Sequence, residues 1–452
     1  MRRVFMSAVF LLFLFVTFPA WSAPVLLISI DGLRPDAVTH AADHALKIPN
    51  LQRFITDGSY AEGVVGVVPT ITYPSHTTIV TGVWPAQHNI LANTTFDPGF
   101  KNQIGWYWYA QDMHAPTVWK AAAKAGMVTA SINWPVTVNA TGIRYLIPEY
   151  WRAETPDDLK LIEALSLPEG WLQQLEQKLG PYTNGNDTTV QGDETRTRFA
   201  EHVLLAEHPG FMTLHLSALD EAEHETAPFS ARSNETLEAL DGMIGRLVQA
   251  ALKNDPATDV IIVSDHGFMR TDHRVNLFIP FIEKGWVHVG PPNPLTGVPK
   301  VASWQATIWP AGGSGAIMLH DPADKILRQQ VSTLLEKLAS DPANGIARIL
   351  SGEEAKRLGG FPDAAFVVEL APDYQLGYSF SGPLVTDAPS TGMHGYLPDR
   401  PEMRSSFFVL GANIAPHQNV GIVDMRQIAP TVASLLGVPL PTATEPRIPV
   451  TR

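Results

Sequence analysis

The sequence predicts an α/β fold with a mostly parallel central sheet and helices on both faces. Two observations carry this. Short, nearly continuous apolar runs recur along the chain, as expected of strands buried on both faces of a parallel sheet. Between them lie longer segments whose apolar residues keep a helical spacing, and such alternation builds a parallel sheet covered by helices. At 452 residues, 45% hydrophobic and 17% charged, the chain suits one large α/β domain or two smaller ones and is too apolar to be mainly disordered.

The expected strands, in chain order, are Val25–Ile30, Val128–Ile132, Phe211–Leu216, Val260–Val263 and Phe366–Leu370. A helix is expected from Pro116 to Gly126, because proline opens and glycine closes helices. Asn234–Leu252 repeats Leu237, Leu240, Ile244, Leu247 and Val248 at helical spacing. Asp324–Ser340 does the same with Ile326, Leu327, Val331, Leu334, Leu335 and Leu338. No repeat of fixed period and no low-complexity tract stands out.

The N-terminus reads as a secretory signal peptide over residues 1–22. Arg2 and Arg3 give a positive start, Val9–Phe18 is apolar apart from Thr17, and Ala20-Trp21-Ser22-Ala23 offers small residues for cleavage. A retained anchor is the alternative, but the run is short for a hydrocarbon layer of about 30 Å, and no later segment is long and apolar enough to span. The expected location is therefore exported, periplasmic or secreted, with no stable membrane span after cleavage. Removing the leader leaves 30 basic against 45 acidic residues, a net charge of −15. Such a chain is ill suited to binding a nucleic-acid duplex, which needs basic patches. Cysteine is absent, which excludes disulfides, thiolate ligands and a cysteine nucleophile. Any metal falls to His, Asp or Glu.

Chemistry in such folds gathers beyond the carboxyl ends of the strands. Val25–Ile30 runs into Asp31, Phe211–Leu216 is followed by Asp220 and His224, and Val260–Val263 runs into Asp265 and His266. One aspartate after a strand is ordinary turn or cap chemistry. Three, two of them with a nearby histidine, form a donor set suited to zinc. In Pro69-Thr-Ile-Thr-Tyr-Pro-Ser-His76, Thr72 either caps a helix or points its hydroxyl at an anion bound by the helix start. His394, flanked by glycines, is a further candidate ligand.

Together these segments resemble the nucleotide pyrophosphatase/phosphodiesterases of the alkaline phosphatase superfamily. The resemblance rests on Ile30-Asp-Gly-Leu-Arg-Pro-Asp36, Pro69-Thr-x-Thr-Tyr-Pro74, Thr81-Gly-x-x-Pro-x-x-His88, Asp220-x-x-x-His224, Ser264-Asp-His-Gly267 and Gly392-x-His-Gly395. It implies an alkaline-phosphatase-like catalytic domain over residues 24–452, expected to carry a smaller inserted subdomain at about 275–385. It also implies two zinc ions, one held by Asp220, His224 and His394, the other by Asp31, Asp265, His266 and the Thr72 oxygen. Two metals about 4 Å apart clamp the attacking and leaving oxygens of an in-line displacement. Thr72 would be the nucleophile, Asn93 would donate to a phosphoryl oxygen, and Tyr73 would flank the organic group of a small-molecule phosphodiester.

Some residues depart from that pattern. His215 stands where the family has a second stacking aromatic. Glu221 and Glu223 add charge beside a ligand pair; they either repel polyanions or sit on a solvated turn. Trp106–Tyr109 is an aromatic cluster that either lines a cleft or packs as a strand, and Asp272-His273 reads as a structural turn. The rival functions are a phosphomonoesterase of the same superfamily and a noncatalytic periplasmic metal- or ligand-binding protein. No Lys-x-Arg pair for a monoester dianion accompanies Asn133-Trp134-Pro135, and the intact Thr72 argues against the noncatalytic reading. Sulfatase chemistry lacks its cysteine. The physiological diester and the oligomeric state are left open by the sequence.

Overall fold

The computed structural model describes residues 23–99, 105–151, 156–292 and 299–452. The leader expected at 1–22 lies outside the described residues. An eight-stranded sheet forms the centre, in the order Gln418–Asn419, Ser59–Tyr60, Phe407–Leu410, Asp259–Val263, Val25–Ile30, Phe211–Leu216, Thr129–Ile132, Tyr145–Ile147. The five strands from Asp259–Val263 onward run parallel. Phe407–Leu410 is antiparallel to both of its neighbours.

Side chains alternate across a strand, and Val25–Ile30 shows what that does here. Leu26, Ile28 and Ile30 enter one apolar core with Phe199, Val203, Leu240 and Ile244, which come from the helices Val190–Glu207 and Ala231–Asn254. Val25 and Leu27 enter a second core with Ile79, Trp119 and Val432, from the helices Thr72–Thr81, Val118–Lys124 and Ile428–Leu435. Both faces of the strand are thus covered, which explains its nearly continuous apolar run, broken only by Ser29. Leu240 is fully buried, so cutting it to alanine would cost about 2–5 kcal/mol.

Several expectations are corrected. Phe366–Leu370 is a strand, but it lies in a separate four-stranded antiparallel sheet with Ala306–Pro310, Ser314–Leu319 and Ile346–Ser351. The helix Lys325–Ala339 buries Leu327, Val331, Leu334 and Leu335 in the core of that sheet, not of the central one, while Ile326 points off that face and is exposed. The first expected helix begins at Val118, because Thr117 accepts the Lys120 N–H and caps it, leaving Pro116 outside. Asp272 and His273 are not a turn: they lie in the strand Met269–Val275, where His273 stacks on Tyr374. Among the described residues, no helix is long and apolar enough to cross a membrane.

Candidate active site

The carboxyl ends of three adjacent parallel strands deliver the acids. Asp31 follows Val25–Ile30 directly, and its N–H still donates to Leu216 O at 2.9 Å. Gly32 then turns with φ +75°, where a Cβ would meet the Phe268 ring at 2.7 Å. Its N–H donates to Asp265 Oδ1 at 3.1 Å. Asp265 lies two residues beyond Asp259–Val263.

Asp220 and His224 lie one turn apart on the helix Ala218–Thr226. The start of that helix is held by Asp193, which accepts from Ser217 N at 3.1 Å and Ala218 N at 2.8 Å. Asp193 is paired in turn with buried Arg196. His394 follows the strand Val385–Met393.

These side chains converge. His266 Nε2 lies 3.0 Å from Asp265 Oδ2, 3.4 Å from Asp31 Oδ1 and 4.0 Å from Asp220 Oδ1. His394 Nε2 is 3.7 Å from Asp220 Oδ1 and 3.1 Å from His224 Nε2. His224 Nε2 is 3.5 Å from Asp220 Oδ2. The ligand atoms of Asp31, Asp265 and His266 gather within 4.8 Å of one another, and so do those of Asp220, His266 and His394. His266 is thus shared, where the resemblance assigns it to one group. His224 joins the second group through its contacts with Asp220 and His394.

Four of these atoms, Asp31 Oδ1, Asp220 Oδ1, Asp265 Oδ2 and His266 Nε2, are buried without a hydrogen-bond partner. Unpaired buried polar atoms are costly. Acceptors that crowd together with no proton between them fit a cation, and three Asp with three His suit zinc. The electrostatics agree. Burial, then repulsion from Asp265 and Asp220, pushes Asp31 well above the usual carboxylate range. Burial also pushes Asp220 up to about 7. Burial pulls His224 and His394 down, which keeps both imidazoles neutral, as ligands must be.

Thr72 opens the helix Thr72–Thr81 as its first residue, behind Ile71, and makes no capping bond. Its hydroxyl is therefore free of the capping role. Tyr73 N–H donates to Asn93 Oδ1 at 2.9 Å. A cavity of about 90 Å³ opens beside Thr72, lined by Tyr73, Trp106 and Trp151 on its aromatic side and by Asn133, Asn186, Thr188 and Ser217 on its polar side. Arg196 is the one Lys or Arg that lines it. Its guanidinium is spent on Asp193, Ser217 and the main-chain oxygens of Gly185 and Asp187.

Of the sequence departures, Trp106 lines the cavity and packs on Tyr73, with ring centroids 5.2 Å apart. Trp108 is buried against Tyr150. Glu223 lies on no solvated turn: it is buried on the helix Ala218–Thr226. His215 is buried too, with Nε2 2.9 Å from Asp31 Oδ2. Burial works against its charge, but hydrogen bonds to Asp31 and Glu149 outweigh this and push it up to about 10.

Sequence reasoning missed Glu149, which accepts from Tyr73 Oη at 2.8 Å, because an isolated glutamate carries no motif. It also gave His76 no role, although the ring is buried between Thr72 O at 2.8 Å and Ser29 Oγ at 2.9 Å. The position of His76, four residues after Thr72 on one helix face, was the signal that could have found it.

A family model described as type I phosphodiesterase/nucleotide pyrophosphatase matches residues 25–397. Human ectonucleotide pyrophosphatase/phosphodiesterase family member 1 is 26% identical over 255 residues, 54% of this chain and 23% of that protein. Venom phosphodiesterase of Naja atra is 23% identical over 257 residues, 54% of this chain and 26% of that protein. The chain thus spans about a quarter of the length of these curated relatives. Among solved structures, human ectonucleotide pyrophosphatase/phosphodiesterase 5 superposes with a TM-score of 0.63 at 17% identity, over 92% of this chain and 95% of that one. A murine counterpart, described as an inactive threonine-to-alanine variant in complex with AMP, gives 0.64 at 16%, over 92% and 96%. At these identities the likeness is one of fold.

Proposed function

This chain belongs to the type I phosphodiesterase/nucleotide pyrophosphatase family, and from that premise we propose that it is an exported, zinc-dependent phosphodiesterase with Thr72 as nucleophile. The observation that carries the reading is the set of unpartnered ligand atoms on Asp31, Asp220, Asp265 and His266, gathered at the strand ends beside an uncapped Thr72. The names of its relatives, an ectonucleotide enzyme and a venom enzyme, support export.

Asp220, His224 and His394 would hold one zinc, and Asp31, Thr72, Asp265 and His266 the other. Bound zinc supplies Lewis acidity, favouring ionisation of a hydroxyl and offsetting charge on phosphorus. Thr72 Oγ1 attacks phosphorus and forms the new P–O bond as the bond to the leaving group breaks in line. The leaving oxygen departs and is protonated. Water then attacks the phospho-threonine ester and frees Thr72 and the second product. Asn93 donates its amide N–H to a non-bridging oxygen, where charge builds up. Tyr73, Trp106 and Trp151 bound the organic group.

A diester fits better than a monoester or a triphosphate. Arg196 has four of its five N–H donors committed inside the protein, which leaves no paired donors for a dianion, and the mature chain is acidic. The test compares kcat/KM for bis(p-nitrophenyl) phosphate, its monoester and ATP at low and moderate salt, in the wild type and in Thr72→Ala. The diester is expected to lead, and the variant to lose turnover by well over about 10-fold, since each decade is about 1.36 kcal/mol of barrier. A leading monoester or ATP contradicts the substrate class. A Thr72→Ala chain within about 10-fold of wild type contradicts the nucleophile.

A further inference from the structure

His215 lies at the junction of a buried network. Its Nε2 is 2.9 Å from Asp31 Oδ2. Its Nδ1 faces the main-chain oxygen of Asn133 at 3.1 Å and Glu149 Oε2 at 3.3 Å. Glu149 Oε1 accepts the Tyr73 hydroxyl at 2.8 Å, and Tyr73 N–H holds Asn93 Oδ1 at 2.9 Å. The side chains of His215 and Glu149 are only 2% and 10% exposed, so water offers no easy substitute for either bond. The chain of contacts runs from Asp31 to Asn93 and passes around Thr72, the residue before Tyr73.

The two oxygens of Asp31 are used unequally. Oδ2 is taken by His215, while Oδ1 makes no hydrogen bond and lies 3.4 Å from His266 Nε2. A buried carboxylate free at both oxygens could rotate about its terminal bond or offer both atoms to one cation. Here the ring blocks both options. We propose that His215, braced by Glu149, is a positioning residue that locks the Asp31 carboxylate so that Oδ1 alone is presented as a metal ligand. The stacking position of the family has thereby become a support for the metal group, and Tyr73, Trp106 and Trp151 supply the large rings of the cavity beside it. The inference rests on the zinc reading above. It adds a residue that acts on the metal group through Asp31, while its ring also lines the cavity.

The experiment titrates the demetallated mature chain with zinc alone against a chelating dye, so that activity is not the readout. His215→Phe keeps a ring and removes both donors. It is expected to weaken one of two zinc sites by about 10–100-fold, the usual loss when a ligand's supporting partner is removed, and to leave the other within about twofold. Added to Asp31→Asn, His215→Phe should cause no further loss, because it acts only through that ligand. His215→Gln places an amide nitrogen near the position of Nε2 and should recover affinity to within about threefold.

A purely structural role would lower the thermal midpoint of the demetallated chain and weaken both sites together. Both sites of His215→Phe within about twofold of wild type, or His215→Gln as weak as His215→Phe, overturns the inference and leaves the zinc reading standing. A wild-type chain that takes up no zinc overturns both. Should His215→Phe fail to fold, His215→Met, which also lacks a donor, takes its place in the comparison with His215→Gln and wild type.

Discussion

The main-chain N–H of Tyr73 is hydrogen-bonded to Asn93 Oδ1 at 2.9 Å. The carbonyl end of the amide is thereby committed, and its NH2 end is directed away from the helix start as a donor. Asn93→Ala is expected to lower kcat/KM by roughly 100–1,000-fold, the cost of losing one donor to a developing oxyanion. Asn93→Asp keeps an acceptor for Tyr73 but loses the donors and adds repulsion, so it should be at least as damaging. Steady-state kinetics on a diester checks both. An Asn93→Asp enzyme close to wild type would contradict the donor role.

Metal removal should separate fold from ligand contributions. A cation that binds the folded chain alone stabilises it by about 2.7 kcal/mol at a hundred times its Kd. The thermal midpoint is therefore expected to rise when zinc is returned to the demetallated protein, and elemental analysis to count two zinc per chain. A full complement of activity with one tightly bound metal or none would contradict the two-metal reading.

His88 gives a pH dependence independent of the metal group. Its ring is buried, with Nδ1 accepting from Ile90 N–H at 3.2 Å and Nε2 facing Thr78 Oγ1 at 3.0 Å. Protonation at Nδ1 would set two donors against each other. Burial pulls its pKa from 6.5 down to about 3. Below 6.5 the unfolded chain takes a proton that the folded chain refuses, so stability falls as the pH drops from 6.5 towards about 3. The slope is about 1.4 kcal/mol per pH unit from this one residue. Demetallated His88→Gln should be less stable than wild type near neutrality and lose less on acidification over that window. Urea unfolding of both chains down to about pH 4.5 measures this; parallel losses would contradict it.

How much of this was legible in the sequence depended on whether the signal was local. Val25–Ile30 and Phe211–Leu216 were legible to the residue, because strands covered on both faces are nearly continuous apolar runs. The sheet joined by Phe366–Leu370 was not, since an apolar run encodes a strand but not its partner. Asp31, Asp220 and Asp265 were readable as acids at the ends of strands. Glu149 was not, because its role comes from Tyr73 and His215, which are remote in sequence and adjacent only in the fold. Glu223 looked like part of a charged turn, yet the helix Ala218–Thr226 turns it into the protein. A window of a few residues cannot tell a buried helical glutamate from an exposed one.

The central claim is a covalent step at Thr72, and the stereochemical course at phosphorus tests it most directly. A diester made chiral at phosphorus by sulfur substitution is hydrolysed in heavy-oxygen water, and the configuration of the labelled product is determined. Attack by Thr72 followed by attack of water inverts phosphorus at each step, so the account predicts net retention. Net inversion would mean that water attacks the diester directly, and Thr72 would not be the nucleophile.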